Sequence, residues 1–144
     1  MVVSVPLSLV MTILCAYFMV SKGMLFKKPL MYLMLFTMFF GGGLIPSYLN
    51  IKELGLYNTL WALILPSALS LYNAIITKTA MQNIPESLTE SAYIDGANDP
   101  VILVRILLPL IGPTLAVMAL YYGVGQWNAY FNAMIYLTDA ELYP

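Results

Sequence analysis

The carboxylates that could do chemistry are concentrated in the one polar stretch of the sequence, residues 78–105, which holds Glu86, Glu90, Asp95 and Asp99. Glu86 and Glu90 are four residues apart, so they share one face if the stretch is helical. Glu86 also places a negative charge in the first turn of such a helix, where the helix dipole favours it. The spacing therefore predicts a short amphipathic helix.

The residues around these carboxylates predict where that helix begins and ends. Pro85 suits a first turn, and Gly96 favours the left-handed conformation that ends a helix. Asp99 is predicted to be the N-cap of a second helix, with Pro100 at its first position, that runs to Leu108. A rigid link of this kind can transmit movement from a cytoplasmic partner. The alternative is a solvated loop with incidental capping residues.

Several kinds of chemistry are excluded by residue types that the sequence lacks. It has no histidine, which excludes Ser-His and Cys-His catalysis and His-ligated metal sites within it. Its one cysteine, Cys15, lies in an apolar run and cannot form an internal disulfide. It contains no G-x-x-x-x-G-K-[ST] phosphate-binding loop. We predict no catalytic residue, no metal and no cofactor, and the net charge of -1 argues against nucleic acid as a partner.

The composition indicates a membrane protein. Of the 144 residues, 61% are hydrophobic and 9% are charged, whereas soluble domains are about 45–50% apolar and about 25% charged. The charges leave four uncharged runs, each close to or above the roughly 20 residues that a membrane-spanning helix needs. The four predicted spans lie near 2–20, 30–49, 57–77 and 109–137. All seven acidic residues lie outside these spans, which disfavours proton-driven transport and intramembrane acid–base catalysis.

The basic residues predict the orientation of the spans. Loops 21–28 and 78–105 hold all the lysines and arginines except Lys52. Because basic loops stay in the cytoplasm, both are predicted to be cytoplasmic. We therefore expect one transmembrane domain, 1–144, with a cytoplasmic loop at 78–108.

Two further residue types have structural interpretations. The glycines at 41–43, with Gly123 and Gly125, allow close helix packing or helix bending. Tyrosines such as Tyr17 and Tyr32 fall near predicted helix ends and are typical of an interfacial belt. No site is inferred from them.

The polar stretch also resembles a known signature. Glu90-Ser91-Ala92, three residues, Gly96, nine residues and Ile106-Leu107-Leu108-Pro109 resemble the "EAA" signature of ATP-binding-cassette importer permeases. Ile94-Asp95-Gly96-Ala97 and Gln126-Trp127-Asn128 are similar to the carbohydrate-uptake, maltose-type branch. Ser91 replaces the first alanine of the signature, and serine is also small and compatible with a helix.

The resemblance implies an all-α, polytopic transmembrane bundle of the type I importer permease kind. Such permeases usually have six spans, so this sequence looks like a central piece without the first and last. In the family, the signature loop is a coupling helix that docks in a cleft of a cytoplasmic ATPase subunit. Carried over, the docking residues are Glu86, Glu90, Ser91, Ala92, Asp95, Gly96 and Ala97. The competing interpretation for Glu90 and Asp95 is a solvated helix face.

Polar residues at membrane depth are candidates for a translocation path. They are Asn73, Gln126, Trp127, Asn128 and Asn132, whose amides and aromatic ring suit carbohydrate recognition. On one helix Gln126 and Asn128 would diverge, whereas Asn128 and Asn132 would share a face. The alternative is that these amides only hydrogen-bond neighbouring helices together.

The resemblance predicts a non-enzymatic permease subunit in the plasma membrane. It would carry a carbohydrate, in particular an oligosaccharide, by alternating access driven by a separate ATPase. The implied partners are ATP-binding-cassette ATPase subunits, a second permease subunit, an extracellular solute-binding protein and the lipid membrane. The alternatives are a permease of the same superfamily for a non-sugar solute and a membrane scaffold that does not transport.

Overall fold

Helices form all the regular structure that this computed structural model describes, over residues 2–21 and 26–137. The helices are Ser4–Val20 (α1), Lys27–Phe39 (α2), Leu44–Glu53 (α3), Trp61–Ile64 (α4), Leu71–Gln82 (α5), Glu86–Ile94 (α6), Asp99–Ile102 (α7), Leu108–Leu110 (α8), Gly112–Trp127 (α9) and Tyr130–Tyr136 (α10). A π-helical turn, Leu103–Leu107, joins α7 to α8. The predicted all-α class is confirmed.

Helix α1 packs against α5 and α9 through a face of small side chains. Ser4, Ser8, Thr12 and Ala16 recur every four residues on this face and are at most 2% exposed. Small residues let helix backbones approach closely, which is how membrane helices gain van der Waals contact. The hydroxyl groups also supply polar atoms inside the contact, so α1 is both a packing element and a source of interhelical hydrogen bonds.

The predicted polar stretch is packed onto this bundle. Ala92 of α6 and Ile102 of α7 belong to one apolar cluster with Ala16 of α1 and Met81 of α5. Ile102 is 1% exposed, so the end of α7 is anchored in the cluster. The alternative of a solvated loop with incidental caps is therefore wrong: the stretch is two helices held against α1 and α5.

The predicted spans after the first are not continuous helices. Span 30–49 is broken at residues 40–43, where Gly43 has a positive φ of 84° that ends the run between α2 and α3. Span 57–77 is broken around Pro66, which lacks an N–H and cannot continue α4. Span 109–137 is interrupted at Ile111, just before Pro113 in the first turn of α9, and again between α9 and α10.

Length and composition identify bent pairs of helices as the elements that could cross a membrane. Within the described residues no single helix is both long and apolar enough, and α1 is apolar but has 17 residues. Two pairs reach the required length together: Lys27–Phe39 with Leu44–Glu53, bent by 116°, and Asp99–Leu110 with Gly112–Trp127, bent by 83°. The assignment of four spans stays a prediction.

The hydroxyl of Tyr122 joins three segments of the bundle. Its oxygen lies 2.6 Å from Oγ1 of Thr12 on α1, in a buried hydrogen bond. It also accepts a hydrogen bond from the backbone N–H of Ser70, the N-cap of α5, at 3.1 Å. Since Tyr122 itself is on α9, one hydroxyl fixes the relative positions of α1, α5 and α9.

Replacing Tyr122 by Phe should destabilise the bundle, because both hydrogen bonds are lost and the buried Thr12 hydroxyl keeps no equivalent partner. We expect the free energy of unfolding in detergent to fall by about 1 kcal/mol, between the average of about 0.6 kcal/mol and the maximum of about 1.7 kcal/mol for interhelical hydrogen bonds. Tyr130→Phe is the matched control, since Tyr130 is 69% exposed. Equal stability of wild type and Tyr122→Phe would contradict the role given to this hydroxyl.

Candidate functional site

The turn after α6 is built by its backbone and by Gly96. Gly96 has φ +81°, and its N–H donates to the carbonyl of Tyr93 at 3.0 Å. The N–H of Ala97 donates to the carbonyl of Ala92 at 2.9 Å, which completes a Schellman motif. Ala97 also packs on the cluster that contains Ala92. Gly96 therefore has the turn-forming role predicted for it. Residues 86–102 are called the α6–α7 corner below.

The predicted docking residues of the corner divide into inward-facing and outward-facing groups. Ala92 is 8% exposed and packs inside this chain, so its small size serves the internal cluster. The others lie at the surface: Glu86, Glu90, Ser91, Asp95 and Gly96 are exposed and Ala97 is half-buried. Glu86 and Glu90 both line a cleft of about 540 Å³ between α6 and the ends of α1 and α5, as expected for residues on one helix face.

The N-cap of α7 differs from the prediction by one residue. Asn98 is the N-cap, and its Oδ1 accepts a hydrogen bond from the N–H of Val101 at 3.3 Å. Asp99 is the first residue of α7, and its carboxylate is turned to two tyrosines instead. Tyr93 donates to Oδ1 of Asp99 at 2.5 Å, and Tyr17 donates to the same oxygen at 2.9 Å. The carboxylate thus connects the end of α6, the start of α7 and the last turns of α1.

These hydrogen bonds stabilise the charged form of Asp99. The hydroxyl of Tyr93, and then that of Tyr17, hold the pKa of the carboxyl below its ordinary value. The same contact with Asp99 raises the pKa of Tyr93. Sequence reasoning placed Tyr17 in an interfacial belt and drew no site from it. Its partner is 82 positions away along the chain, so no local spacing indicates the contact.

The predicted path residues fall into two groups. Asn73, Gln126 and Asn132 line one cavity of about 440 Å³ between α4, α5, α9 and α10. Trp127 is 79% exposed, and neither it nor Asn128 lines that cavity. The prediction that Asn128 and Asn132 share a helix face is wrong, because α9 ends at Trp127 and α10 begins at Tyr130.

The cavity wall combines apolar surface with several uncharged polar side chains. Sequence reasoning missed Ser67, Ser70 and Tyr121 among its lining residues, since hydroxyls scattered through apolar segments carry little signal. None of the residues that line it in the described part of the chain is charged. The walls therefore offer hydrogen bonds and an aromatic face without fixed charge, which suits a ligand rich in hydroxyl groups.

Two of the amides in the cavity differ in what they bind. Gln126 Nε2 donates to Oγ of Ser67 at 2.7 Å, and that hydroxyl in turn donates to the carbonyl of Leu63 at 2.8 Å. Gln126 thus connects α9 to the segment after α4, as the alternative of interhelical bonding predicts. Asn73 is 6% exposed, and its carboxamide makes no hydrogen bond within residues 2–21 and 26–137. Because Asn73 lines the cavity, its carboxamide is available to a ligand or to water there.

The structure supports the bending role predicted for the glycines but not the role in close packing. Gly41, Gly42 and Gly43 form the sharp bend between α2 and α3, as the bending interpretation expects. A Cβ on Gly123 or Gly125 would meet nothing within 4 Å among the described residues. Close packing therefore does not account for these two glycines within the part of the chain that the structure describes.

Replacing Tyr93 by Phe should raise the pKa of Asp99 towards about 3.9, the ordinary aspartate value, because a donor to the charged form is lost. Since the folded-state pKa of wild type lies below the unfolded value, the two hydrogen bonds add stability that is complete above about pH 4. That stability disappears as pH falls through the folded-state pKa. A carboxyl ¹³C NMR titration of Asp99 measures the shift, with exposed Tyr32→Phe as control. An Asp99 pKa that is the same in Tyr93→Phe and wild type would refute this assignment.

Comparison with known proteins covers almost the whole chain. Residues 1–139 match the model of the family described as "Binding-protein-dependent transport system inner membrane component". The chain is 46% identical, over 99% of its length, to the polygalacturonan/rhamnogalacturonan transport system permease protein YtcP of Bacillus subtilis, and spans 50% of that protein. It is 43% identical, also over 99% of its length, to Protein LplC of the same organism, and spans 48% of it. The chain thus spans about half the length of these curated relatives.

A solved structure shows the same fold. A chain in the crystal structure of a bacterial ABC transporter involved in the import of the acidic polysaccharide alginate matches with a TM-score of 0.91 and 33% identity. The match covers 96% of this chain and 49% of that one. The resemblance first seen in the signature of residues 90–109 is therefore confirmed over the chain as a whole. The chain belongs to the family of binding-protein-dependent transport system inner membrane components, the membrane permeases of ABC transporters.

Proposed function

We propose that this chain is part of a multi-pass plasma-membrane permease subunit of an ATP-binding-cassette importer for a carbohydrate, in particular an oligosaccharide. The subunit works by alternating access and takes its energy from a separate ATPase. The observation that carries the proposal is the α6–α7 corner, which combines the signature residues with a defined turn and a firm anchor in the bundle. Permease components of this family are not themselves enzymes.

The charge and exposure of the corner support docking to an ATPase subunit. Glu86, Glu90 and Asp95 are exposed carboxylates on a short helix and its C-cap. Carboxylates of this kind can form charge-assisted hydrogen bonds with basic residues of a partner. Ala92 and Ile102 meanwhile hold the corner against α1 and α5. A push on the exposed face would then move packed helices rather than a loose loop.

The cavity supports a role in carrying the solute. Asn73 and Asn132 present amides to it, and Tyr121 presents an aromatic ring. Amides and aromatic rings together bind the hydroxyl groups and the apolar faces of a sugar. The relatives named for polygalacturonan/rhamnogalacturonan and for alginate are carbohydrate systems, which favours a sugar over another solute.

The family description and the exposed surfaces support three partners. A binding-protein-dependent system needs an extracellular solute-binding protein, which selects the solute. A second permease subunit would complete the path, of which this chain supplies one side. Large apolar side chains exposed on α2 and α3, such as Phe36, Phe39 and Ile45, suit contact with lipid or with that second subunit.

Replacing Glu90 by Arg in the full-length subunit should abolish docking, because a carboxylate that meets basic residues becomes a like charge. We expect at least about a ten-fold loss of the cognate ATPase in a pull-down from detergent extract. Glu53→Arg, the same charge change at the exposed end of α3, is the matched control and should retain the ATPase. Equal recovery of the ATPase by both variants would contradict the docking proposal.

Replacing Asn73 by Ala should weaken solute uptake, because the unpartnered amide in the cavity is removed. A lost hydrogen bond of about 0.5–1.5 kcal/mol predicts a rise of roughly two- to ten-fold in KM for uptake of a labelled oligogalacturonide into proteoliposomes. Asn128→Ala is the control of the same residue type outside the cavity. If the KM rises equally in both variants, or in neither, the cavity is not on the path.

A further inference from the structure

Helix α1 forms hydrogen bonds to other segments at three positions along its length. Near its C-terminal end, Tyr17 donates to the carboxylate of Asp99 in the α6–α7 corner at 2.9 Å. Five residues earlier, Thr12 shares a 2.6 Å hydrogen bond with the hydroxyl of Tyr122. One turn earlier again, the hydroxyl of Ser8 donates to the carbonyl of Ser67 at the longer distance of 3.4 Å.

The two hydrogen bonds farther from the corner are made to Tyr122 and Ser67, which line the cavity. The hydroxyl of Tyr122 also accepts from the N–H of Ser70, and Ser67 accepts from Gln126 at 2.7 Å. Ser67, Ser70, Tyr122 and Gln126 all line the cavity. One rigid helix is therefore bonded to the exposed corner at one end and to the cavity wall farther along.

We propose that α1 transmits displacement of the α6–α7 corner to the cavity wall, with Tyr17, Asp99 and Thr12 as the positioning residues that fix its two ends. This proposal rests on the function proposed above, since it describes how docking reaches the path. None of the three residues touches the solute in this scheme; each acts by holding an element in register.

The corner is joined to α1 by apolar packing and by a hydrogen bond. Ala16 packs in one apolar cluster with Ala92 and Ile102, which holds the corner against α1. A hydroxyl bonded to a carboxylate is directional, so it converts movement of α7 into movement of α1 along one axis. The buried Thr12–Tyr122 bond does the same at the other end, where both residues are at most 7% exposed.

The test compares Tyr17→Phe and Asp99→Ala with wild type in the full-length importer, reconstituted with its ATPase, its solute-binding protein and a labelled oligogalacturonide. Asp99→Ala removes the acceptor but leaves the N-cap Asn98 in place. Three quantities are measured: ATPase retained, ATP hydrolysis rate and solute taken up per ATP. We expect retained ATPase, a hydrolysis rate within about two-fold of wild type and a fall of about three-fold or more in uptake per ATP. Tyr32→Phe, an exposed tyrosine, should leave all three unchanged.

The outcomes separate this proposal from the function on which it rests. If the wild-type complex takes up no solute on ATP hydrolysis, the proposed function fails. If wild type couples the two and both variants keep its uptake per ATP, the transmission role of α1 is overturned. If neither variant assembles into a complex, the Tyr17–Asp99 bond serves only stability, which also overturns the proposal. Either variant alone suffices for the comparison when the other does not assemble.

Discussion

The close contact of α1 with α5 and α9 is the constraint on which the rest of the structure depends. Its interface is made of small residues, so the backbones approach, and two of its buried hydroxyls make hydrogen bonds to other segments. Thr12 meets Tyr122, and Ser8 meets the carbonyl of Ser67. These bonds hold α9 and the start of α5 beside one another. Two of the helices around the cavity, α5 and α9, are thus held in place by α1.

The α6–α7 corner is attached to the same helix. Ala92 and Ile102 bury themselves against Ala16 and Met81, and Tyr17 reaches the carboxylate of Asp99. A corner held by both apolar burial and directed hydrogen bonds is stiffer than one held by either alone, because its displacement must disrupt both kinds of contact. The exposed carboxylates of α6 are consequently presented on a firm base. This arrangement suits the docking role proposed above.

The sequence predicts local features of this arrangement well and distant contacts poorly. The shared face of Glu86 and Glu90, and the turn at Gly96, follow from helical spacing and from the freedom of glycine at positive φ, both of which act over a few residues. The break of span 30–49 could be suspected from its three glycines, but its 116° angle is set by tertiary packing. The Tyr17–Asp99 contact joins residues 82 positions apart, so periodicity carries no information about it.

The fate of the predicted path residues shows why amides in apolar segments are hard to interpret from sequence alone. Gln126 and Asn73 carry the same carboxamide group and line the same cavity, yet Gln126 bonds Ser67 while the carboxamide of Asn73 has no partner in the described part of the chain. What differs is the backbone around them: the end of α4 leaves Ser67 within reach of Gln126, whereas Asn73 faces the open cavity from the first turn of α5. A side-chain amide that already has a partner in the protein holds the wall together, whereas one without such a partner on the cavity wall can hydrogen-bond a ligand or water. Whether an amide at this site serves packing or ligand binding therefore depends on whether it already has a hydrogen-bond partner in the protein. Only the three-dimensional arrangement shows that.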